Sequence, residues 1–510
     1  MSLNRASLRP AVRVEEQARL KRERLPRHRG FSALVYGALL ICLVYPYTDY
    51  DWGWHYRYGE YLLTHGRILR HDIFSWTMPG YEWVNHSWLY DPLLYVLSAH
   101  ISFLGLSLAG AATGLLIFHV SVRRTHLLFW QTAILAVFFA ALSKEALMQG
   151  LRTQVVGLLL LSILVNLLFR ERDGHTRSYW AFPCLMCIWA NLHGSFLLGL
   201  IIFGIHVICD FIILKIRGHA LPRYWFVFAG SFLVSILATL INPFTYGVYL
   251  EAVRHVASPV LPFVVEWRRP EFSQLVRVLF LSYALLLAVG FIYRRRLADL
   301  PCLASAVVTM YLAVTSRRHV PVFVVATLPF AAAVVGNARV RVEGMARTSL
   351  AVSLLMATFA LAVFERGAEL LDLWRNPTRA YCFYGPRCSE GLMQYLVRQA
   401  PVGRGFNVYE WGGYMIGMGL KAKVFIDGRM ALWERADYRP VVEYWAMYAG
   451  HDLEAFERQH FDWVIVPSDS EFVRELAKYR SPRTGCPAMD VWEVVYRDSR
   501  ALYLVRKRGR

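Results

Sequence analysis

The chain has 510 residues, of which 56% are hydrophobic and 18% are charged, and its formal net charge is +19. Its mean hydropathy is +0.34, which is typical of a polytopic membrane protein and excludes an ordinary soluble enzyme. The positive charge alone could indicate a nucleic-acid partner, but the basic residues occur in short clusters between apolar segments. We therefore expect no nucleic-acid role.

Eleven apolar segments predict the transmembrane helices. A hydrocarbon core ~30 Å thick requires about 20 apolar residues per helix, so the shorter segments imply tilted or broken helices. The segments are 31–48, 102–121, 126–143, 153–169, 179–192, 195–214, 224–241, 275–292, 298–315, 319–336 and 349–365.

The basic clusters predict the topology. Residues 1–30 form a basic tail, and later clusters include RERDGHTR, KIRGHALPR and NARVRVEGMAR. If the N-terminus is cytoplasmic, every cluster falls on the cytoplasmic side. We therefore predict a multi-pass protein of the inner (plasma) membrane, with a tail that lies on anionic membrane lipids. The first apolar run lacks a clear cleavage site, which favours an uncleaved anchor over a signal peptide.

The first predicted outer loop, residues 49–91, begins TDYDWGWHYRYGEYLLTHG. Asp49 and Asp51 follow the first apolar run directly, beside Trp54, and carboxylates in such surroundings are candidate general bases. Arg57 is a candidate phosphate ligand, because a guanidinium can hold a phosphate through two hydrogen bonds. Two alternatives remain open: an aspartate here could cap a helix, and the aromatic residues could form an interfacial belt.

Further polar residues cluster in the other predicted outer segments. SKEALMQGLRTQ contains Glu145 and Arg152, ANLHGS contains His193, and SRRH precedes a long apolar segment. Histidines such as His55 and His86 could bind a metal or haem, although most histidines are hydrogen-bonded structural residues. No metal-binding pattern identifies such a site, so a divalent metal is possible but its ligands remain unknown.

Residues 366–510 have regular charges and short apolar runs, which predict an extracytoplasmic α/β domain after a transmembrane domain of residues 31–365. FNVY, KVFID, DWVIVPS, WEVVYRD and ALYLVRK read as strands, and SEGLMQYLVRQ, the stretch after Leu432 and EFVRELAKY read as helices. Cys382 and Cys388 flank a Gly-Pro turn and could form a disulfide on the outer face, which would leave Cys486 free.

Several motifs resemble a known enzyme superfamily. DWGWHYRYGEYL, from Asp51 to Leu62, is similar to the D-P-W-F-N-Y-R segment of the oligosaccharyltransferase catalytic subunit. WVNHSWL, WANLHGSFLLGL, INPF, SRRH, YEWGGY and VFIDGR resemble bacterial membrane glycosyltransferases of the GT-C type. The resemblance implies a GT-C-like fold of about 11 transmembrane helices, and it implies an inverting transfer of a sugar from a polyprenyl-phosphate-linked donor. The acceptor would be a glycan, a lipid or a protein.

The resemblance also implies roles for particular residues. Asp51 is the expected base or acceptor-orienting carboxylate, with Asp49 beside it. The expected phosphate ligands are Arg57, Arg152, Arg317, Arg318 and His319, because charge stabilisation at a developing anion is a large catalytic term. The expected substrate contacts are Trp54, His55, His86, Glu145, His193, Glu410, Asp427 and Arg429.

The chain departs from oligosaccharyltransferase at two places. The second acidic motif is reduced to Glu145, and the W-W-D-Y-G motif has only an echo in YEWGGY. Glu266 is a possible later ligand for a metal. Two other functions remain open from the residues: non-catalytic binding or transport of lipid-linked sugars, and haem handling by the WGWH segment.

Overall fold

The structure of the chain is a computed structural model that describes residues 29–172, 179–258, 260–261, 264–337, 344–376, 389–436, 438–482 and 485–507. The predicted Cys382–Cys388 disulfide and nearly all of the basic tail lie outside the described residues. Cys486 is exposed.

All eleven apolar segments contain helices, so the prediction of a polytopic helical fold is confirmed. The helices are Arg29–Leu43, Phe103–Val122, Phe129–Leu142, Thr153–Arg172, Ala181–Leu192, Phe196–Ile216, Arg223–Ala238, Gln274–Arg294, Leu300–Thr315, Val320–Asn337 and Gly344–Arg375. Within the described residues, six segments are long and apolar enough to cross a membrane: Phe103–Val122, Thr153–Glu171, Phe196–Ile216, Gln274–Arg294, Leu297–Thr315 and Arg317–Asn337.

One helix forms the centre of the bundle. The segment Arg317–Asn337 is 78% buried, whereas Gln274–Arg294 is only 22% buried. Apolar residues surround the whole circumference of the central helix, as expected for a helix packed among other helices. The outward faces of peripheral helices such as Gln274–Arg294 are apolar as well and therefore suit contact with lipid.

The first predicted outer loop contains regular structure. The helix Trp52–His65 occupies its first third, and the helix Tyr90–His100 begins at its end. Sequence analysis predicted neither helix, nor the short helices Lys144–Leu147 and Gly247–Ala257. The first predicted outer loop is therefore a structured element that can hold side chains in fixed positions.

The C-terminal region contains a four-stranded sheet of order β1-β2-β4-β3. β1 (Gly405–Asn407) pairs in parallel with β2 (Trp463–Pro467), while β4 (Ala501–Arg506) is antiparallel to β2 and to β3 (Trp492–Arg497). The helices are Glu390–Arg398, Tyr409–Gly417, Pro440–Tyr448, Leu453–Arg458 and Glu471–Lys478. Four of the five predicted strands and all three predicted helices are confirmed.

The predicted strand KVFID is wrong, because its backbone groups bond elsewhere. The amide of Val424 donates to the carbonyl of Phe74 (3.0 Å), and the carbonyl of Val424 accepts from the amide of Trp76 (3.1 Å). The Asn407 side chain accepts from the Phe425 amide (2.8 Å) and donates to the Ile426 carbonyl (2.9 Å). Residues 423–427 therefore connect the C-terminal region to the first predicted outer loop instead of extending the sheet.

A second hydrophobic core joins the first predicted outer loop, residues 49–91, to the C-terminal region. Trp54 and Trp83 share it with Phe406 and Trp411. The helices Trp52–His65 and Tyr409–Gly417 cross closely, because a Cβ atom on Gly53 would lie 1.9 Å from the Gly413 carbonyl oxygen. The two regions are thus packed as one body around the residues that the sequence singled out.

Candidate active site

Asp49 holds the turn that presents Asp51. The Asp49 carboxylate accepts a hydrogen bond from the Asp51 amide (3.1 Å), and the Asp49 carbonyl accepts from the Trp52 amide (3.1 Å). Asp51 precedes the helix Trp52–His65, but its carboxylate makes no capping bond to the helix backbone. It accepts instead from the Trp54 indole (3.0 Å), so the capping alternative is wrong.

Three carboxylates converge on one guanidinium, and we call this group the Arg152 cluster. Arg152 Nη2 lies 2.8 Å from Asp51 Oδ2, Nε lies 3.2 Å from Asp49 Oδ1, and Nη1 lies 2.5 Å from Glu266 Oε1. Nη1 also donates to the Gln149 side-chain oxygen. Arg152 is thus committed to protein acceptors on three sides, which leaves little of it for the phosphate that the sequence analysis assigned to it.

The cluster combines buried and accessible carboxylates. Burial raises the pKa of Asp49 above its ordinary value, although attraction to Arg152 opposes the rise. Burial likewise disfavours the charged form of Glu266, but attraction to Arg152 and Arg318 outweighs it and lowers the pKa of Glu266 to about 2. The Asp51 side chain is 19% exposed, so its carboxylate is the accessible one of the two aspartates.

A second group, which we call the Arg318 cluster, lies beside the first. It consists of aromatic and basic side chains around one guanidinium: Arg318, His86, His193, His255, Trp267 and His319. Arg318 Nη1 is 3.7 Å from Glu266 Oε2 and Nη2 is 3.4 Å from His193 Nε2. These contacts are longer than those of Arg152, so the Arg318 guanidinium is better able to accept a further anion.

The imidazoles of the Arg318 cluster are held neutral. Burial and, to a smaller extent, the Arg318 charge lower the pKa of His86 to about 4 and that of His255 to about 3. The pKa of His193 is also well below its ordinary value for the same two reasons. Within the described residues, His255 Nε2 and His319 Nδ1 are buried without a hydrogen-bond partner. Neutral imidazole nitrogens of this kind can donate to a ligand oxygen.

Arg317 and Arg57 pair with acidic residues that belong to neither the Arg152 cluster nor the Arg318 cluster. Arg317 Nη2 pairs with Glu145 Oε1 at 2.7 Å, so the acidic residue of the second motif is matched by an arginine. Arg57 pairs with Glu60 (2.5 Å) and donates to the Ile416 carbonyl (3.3 Å). Arg57 therefore contacts the C-terminal region through Ile416.

His55 belongs to a buried hydrogen-bonded group. Its Nδ1 is 2.5 Å from Asp91 Oδ1, and Asp91 Oδ2 accepts from the Asn85 side chain (2.6 Å). The His55 ring also stacks on Trp54 at a centroid distance of 3.5 Å. These contacts fix the Trp54 indole that donates to Asp51, so His55 is suited to positioning and not to ligating haem.

Asp427 and Arg429 form a second ion-paired group, in the interior. Arg429 lies 2.6 Å from Asp427 Oδ2 and 2.7 Å from Asp72 Oδ1, and all three side chains are fully buried. The Asp427 carboxylate also accepts from the Arg429 amide and so caps the short helix Gly428–Leu432. The structure thus gives Asp427 and Arg429 contacts that join two regions, whereas Glu410 is exposed.

Gly428, which lies between Asp427 and Arg429, brings the C-terminal region close to Asp51. A Cβ atom on Gly428 would lie 1.9 Å from Asp51 Oδ1, so a larger residue there would displace the Asp51 carboxylate. The Tyr409 hydroxyl donates to the Gly428 carbonyl (3.3 Å) and supports the loop. The motifs did not identify Asp72, Tyr409, His255 and Trp267 as residues of the site. Their position within or beside the quoted motifs is the one sequence feature that could have indicated them.

The carboxylates do not fit a resident divalent metal. Across the described residues no group of three histidine, cysteine or acidic side chains is arranged to hold one. Asp49, Asp51 and Glu266 do converge, but on the guanidinium of Arg152. Glu145 is paired with Arg317. Each acidic group that could have held a metal already has an organic cation as its counter-ion.

Solved structures of other proteins share this architecture, and two of them are similar over most of this chain. An archaeal oligosaccharyltransferase, AglB from Archaeoglobus fulgidus, in complex with an inhibitory peptide and a dolichol-phosphate, matches 89% of this chain and 73% of its own at 11% identity, with a TM-score of 0.55. ArnT from Cupriavidus metallidurans, bound to undecaprenyl phosphate, matches 93% of this chain and 97% of its own at 15% identity, with a TM-score of 0.50. This is a GT-C fold.

The fold predicted from the motifs is therefore confirmed. No protein-family model matches the chain, and neither does any curated protein. At 11% and 15% identity the two GT-C structures establish the fold alone.

Proposed function

We propose that this chain is a membrane glycosyltransferase that moves a sugar from a polyprenyl-phosphate-linked donor to an acceptor. One observation carries the proposal: the Asp51 carboxylate and the Arg318 guanidinium stand at the same end of the helix bundle, linked through Glu266 and Arg152. A base and a phosphate ligand so arranged suit a substitution at a carbon that carries a phosphate leaving group.

The Arg318 cluster is suited to the donor phosphate. Arg318 supplies charge, and the neutral imidazoles of His255 and His319 supply hydrogen-bond donors without further desolvated charge. Trp267 lies between these two rings. Support comes from the two proteins of the same fold, which hold a dolichol-phosphate and an undecaprenyl phosphate.

Asp51 is suited to the acceptor. Its oxygens accept from Trp54 and Arg152, and each carboxylate oxygen has a second lone pair with which to accept the proton of an acceptor hydroxyl or amine. In the proposed step, the acceptor atom bonds to the anomeric carbon as its proton passes to Asp51. The bond from that carbon to the phosphate oxygen breaks with its electron pair, and Arg318 stabilises the released phosphate. Attack opposite the leaving group inverts the configuration.

The test is mass spectrometry of the lipids that copurify with the wild-type protein and with Asp51→Asn. We expect a polyprenyl phosphate in both, and a sugar-loaded form enriched in the variant. Glu365→Gln is the matched control, since it also removes one carboxylate charge, from an exposed pair with Lys144. Absence of polyprenyl lipid in both samples, from membranes shown to contain it, would overturn the proposal.

We also propose that the C-terminal region lies outside the inner membrane, with the acceptor as a glycan, a lipid or a protein of that compartment. A cysteine introduced at the exposed Glu454 provides the test. A membrane-impermeant thiol reagent should label Glu454→Cys in intact spheroplasts above the level of the wild-type protein. Labelling only after lysis would place the region in the cytoplasm.

A further inference from the structure

The Arg152 cluster carries an inference about the counter-ion of the site, which rests on the proposed function. The resemblance to oligosaccharyltransferase raises the possibility of a carboxylate-bound divalent metal. Three carboxylates from two segments of the chain, Asp49 and Asp51 from one and Glu266 from the other, do meet at one point. The cation at that point is a guanidinium.

The position of Arg152 follows from the local structure. It immediately precedes the helix Thr153–Arg172, and its amide donates to the Gly150 carbonyl (3.0 Å), so its backbone is fixed in a tight turn. Gly150 has a φ of +75°, a conformation that favours glycine. The guanidinium is 15% exposed, and its Nη1, Nη2 and Nε atoms are each occupied by a different carboxylate.

A metal and this guanidinium cannot occupy the same place. The carboxylate oxygens lie 2.5, 2.8 and 3.2 Å from the guanidinium nitrogens, so the centre of the group is filled by the planar side chain. The second cation, Arg318, adds its charge on the outer side of Glu266. Two positive charges thus face three acidic side chains, and a divalent ion would have to displace a side chain whose charge is permanent.

We propose that Arg152 takes the place of a divalent metal in this site, so that the chain needs no metal for its activity. Arg152 is a positioning residue: it holds the Asp51 carboxylate toward the acceptor and balances its charge. A guanidinium with a fixed fork can orient several carboxylates at once, which a lysine ammonium cannot do with the same geometry.

The proposal predicts that a latent metal site lies beneath the arginine. Removal of the Arg152 side chain leaves Asp49, Asp51 and Glu266 without a shared counter-ion, and rotation of these side chains into the vacated space would bring three oxygen ligands together around Mn²⁺ or Ca²⁺, with water as the further ligands. Wild-type protein should therefore bind no Mn²⁺ at this place, whereas Arg152→Ala should gain about one equivalent.

The experiment measures Mn²⁺ binding by electron paramagnetic resonance on chelator-treated, full-length protein in detergent. Wild type, Arg152→Ala and the double variant Arg152→Ala/Asp51→Asn are compared. Arg439→Ala is the matched control, because it removes an arginine from a single exposed carboxylate, Glu434. We expect one bound Mn²⁺ in Arg152→Ala and loss of that binding in the double variant.

Two results would overturn the proposal. One is a stoichiometric metal in wild type that is lost in Asp51→Asn, and the other is a folded Arg152→Ala protein that binds no Mn²⁺. If Arg152→Ala does not fold, the wild-type measurement and Arg152→Lys, which should likewise bind no metal, still test it. No donor or acceptor is used, so failure of the glycosyltransferase proposal would appear in the lipid analysis and leave these measurements unaffected.

Discussion

The Arg152 cluster and the buried group around Arg429 are built from the same side chains in different surroundings. Each places an arginine between aspartates at hydrogen-bond distance. The side chains of Arg429 and its partners are 0% exposed, whereas Arg152 is 15% and Glu266 is 31% exposed. The chemistry of an ion pair therefore does not by itself distinguish a structural group from a reactive one.

Access to the carboxylates makes the difference. Arg429 is enclosed by the rings of Phe74, Trp83 and Trp433, each 5.0 Å from its guanidinium carbon. A substrate cannot reach such a group without opening the core. The Asp51 side chain is 19% exposed, so its carboxylate remains accessible to an acceptor.

The largest difference between the two groups should appear on replacing Asp51 by Asn. The variant keeps the shape of the side chain but loses the proton acceptor, so the transfer rate should fall about 10²–10⁴-fold. The melting temperature should change by less than about 3 °C, since the side chain is partly exposed. Both are measured on one preparation, with the copurified sugar lipid as donor. Unchanged transfer would remove Asp51 from the mechanism.

The reverse pattern is expected for Arg429→Ala. Loss of the arginine leaves the Asp72 and Asp427 carboxylates buried without a counter-ion, which costs about 3–5 kcal/mol of unfolding free energy. Thermal unfolding in detergent measures the loss, with Arg439→Ala as the control at an exposed pair. A change below about 1 kcal/mol, the usual size for a surface pair, would contradict the structural role.

The imidazoles of the Arg318 cluster should make stability depend on pH. Burial and the Arg318 charge lower the pKa of His86 from 6.5 to about 4. Because the unfolded chain then binds the proton more strongly, this contribution to stability is complete above about pH 6.5 and is lost as pH falls toward 4. His86→Gln should flatten the decline of melting temperature in this window relative to wild type.

The control for this prediction is His65→Gln, because His65 is exposed. It should leave the pH profile unchanged. Equal slopes for wild type and His86→Gln would show that His86 is not held neutral in the folded protein.

The smallest effect is expected at the pair between Arg317 and Glu145. The two side chains are 31% and 40% exposed, so Glu145→Gln should cost no more than about 1 kcal/mol of unfolding free energy. Chemical unfolding of the reconstituted protein measures it. A loss above about 2 kcal/mol would indicate that this pair belongs to the buried class represented by Arg429.

Much of the fold could be predicted from local patterns. Each apolar segment was recognisable because a membrane helix needs a long apolar run, and the strands and helices of the C-terminal region follow short-range periodicity. The helix Tyr409–Gly417 was missed because its paired glycines lower helix propensity. These glycines are explained by close backbone contacts, since a Cβ atom on Gly412 would lie 2.0 Å from the Ile426 carbonyl oxygen and one on Gly413 would lie 2.2 Å from the Tyr50 carbonyl oxygen.

The site was predictable only in part. Asp51 stood out because a carboxylate followed a membrane segment directly, but its partner Arg152 lies about one hundred residues later. Asp72 and Arg429 are 357 residues apart. Such pairs are decided by tertiary packing, so the sequence could name the charged residues but not distinguish a phosphate ligand from a counter-ion.

The contact between Gly428 and Asp51 has a consequence for biosynthesis. Asp51 is synthesised early and Gly428 late. The contact between Gly428 and the Asp51 carboxylate can therefore form only when most of the chain has been synthesised. At about 5–20 residues per second, the nascent protein spends on the order of 20–80 s with the carboxylate unshielded. A chain released before Gly428 has been synthesised would retain the helices of the bundle and yet lack this contact with Asp51.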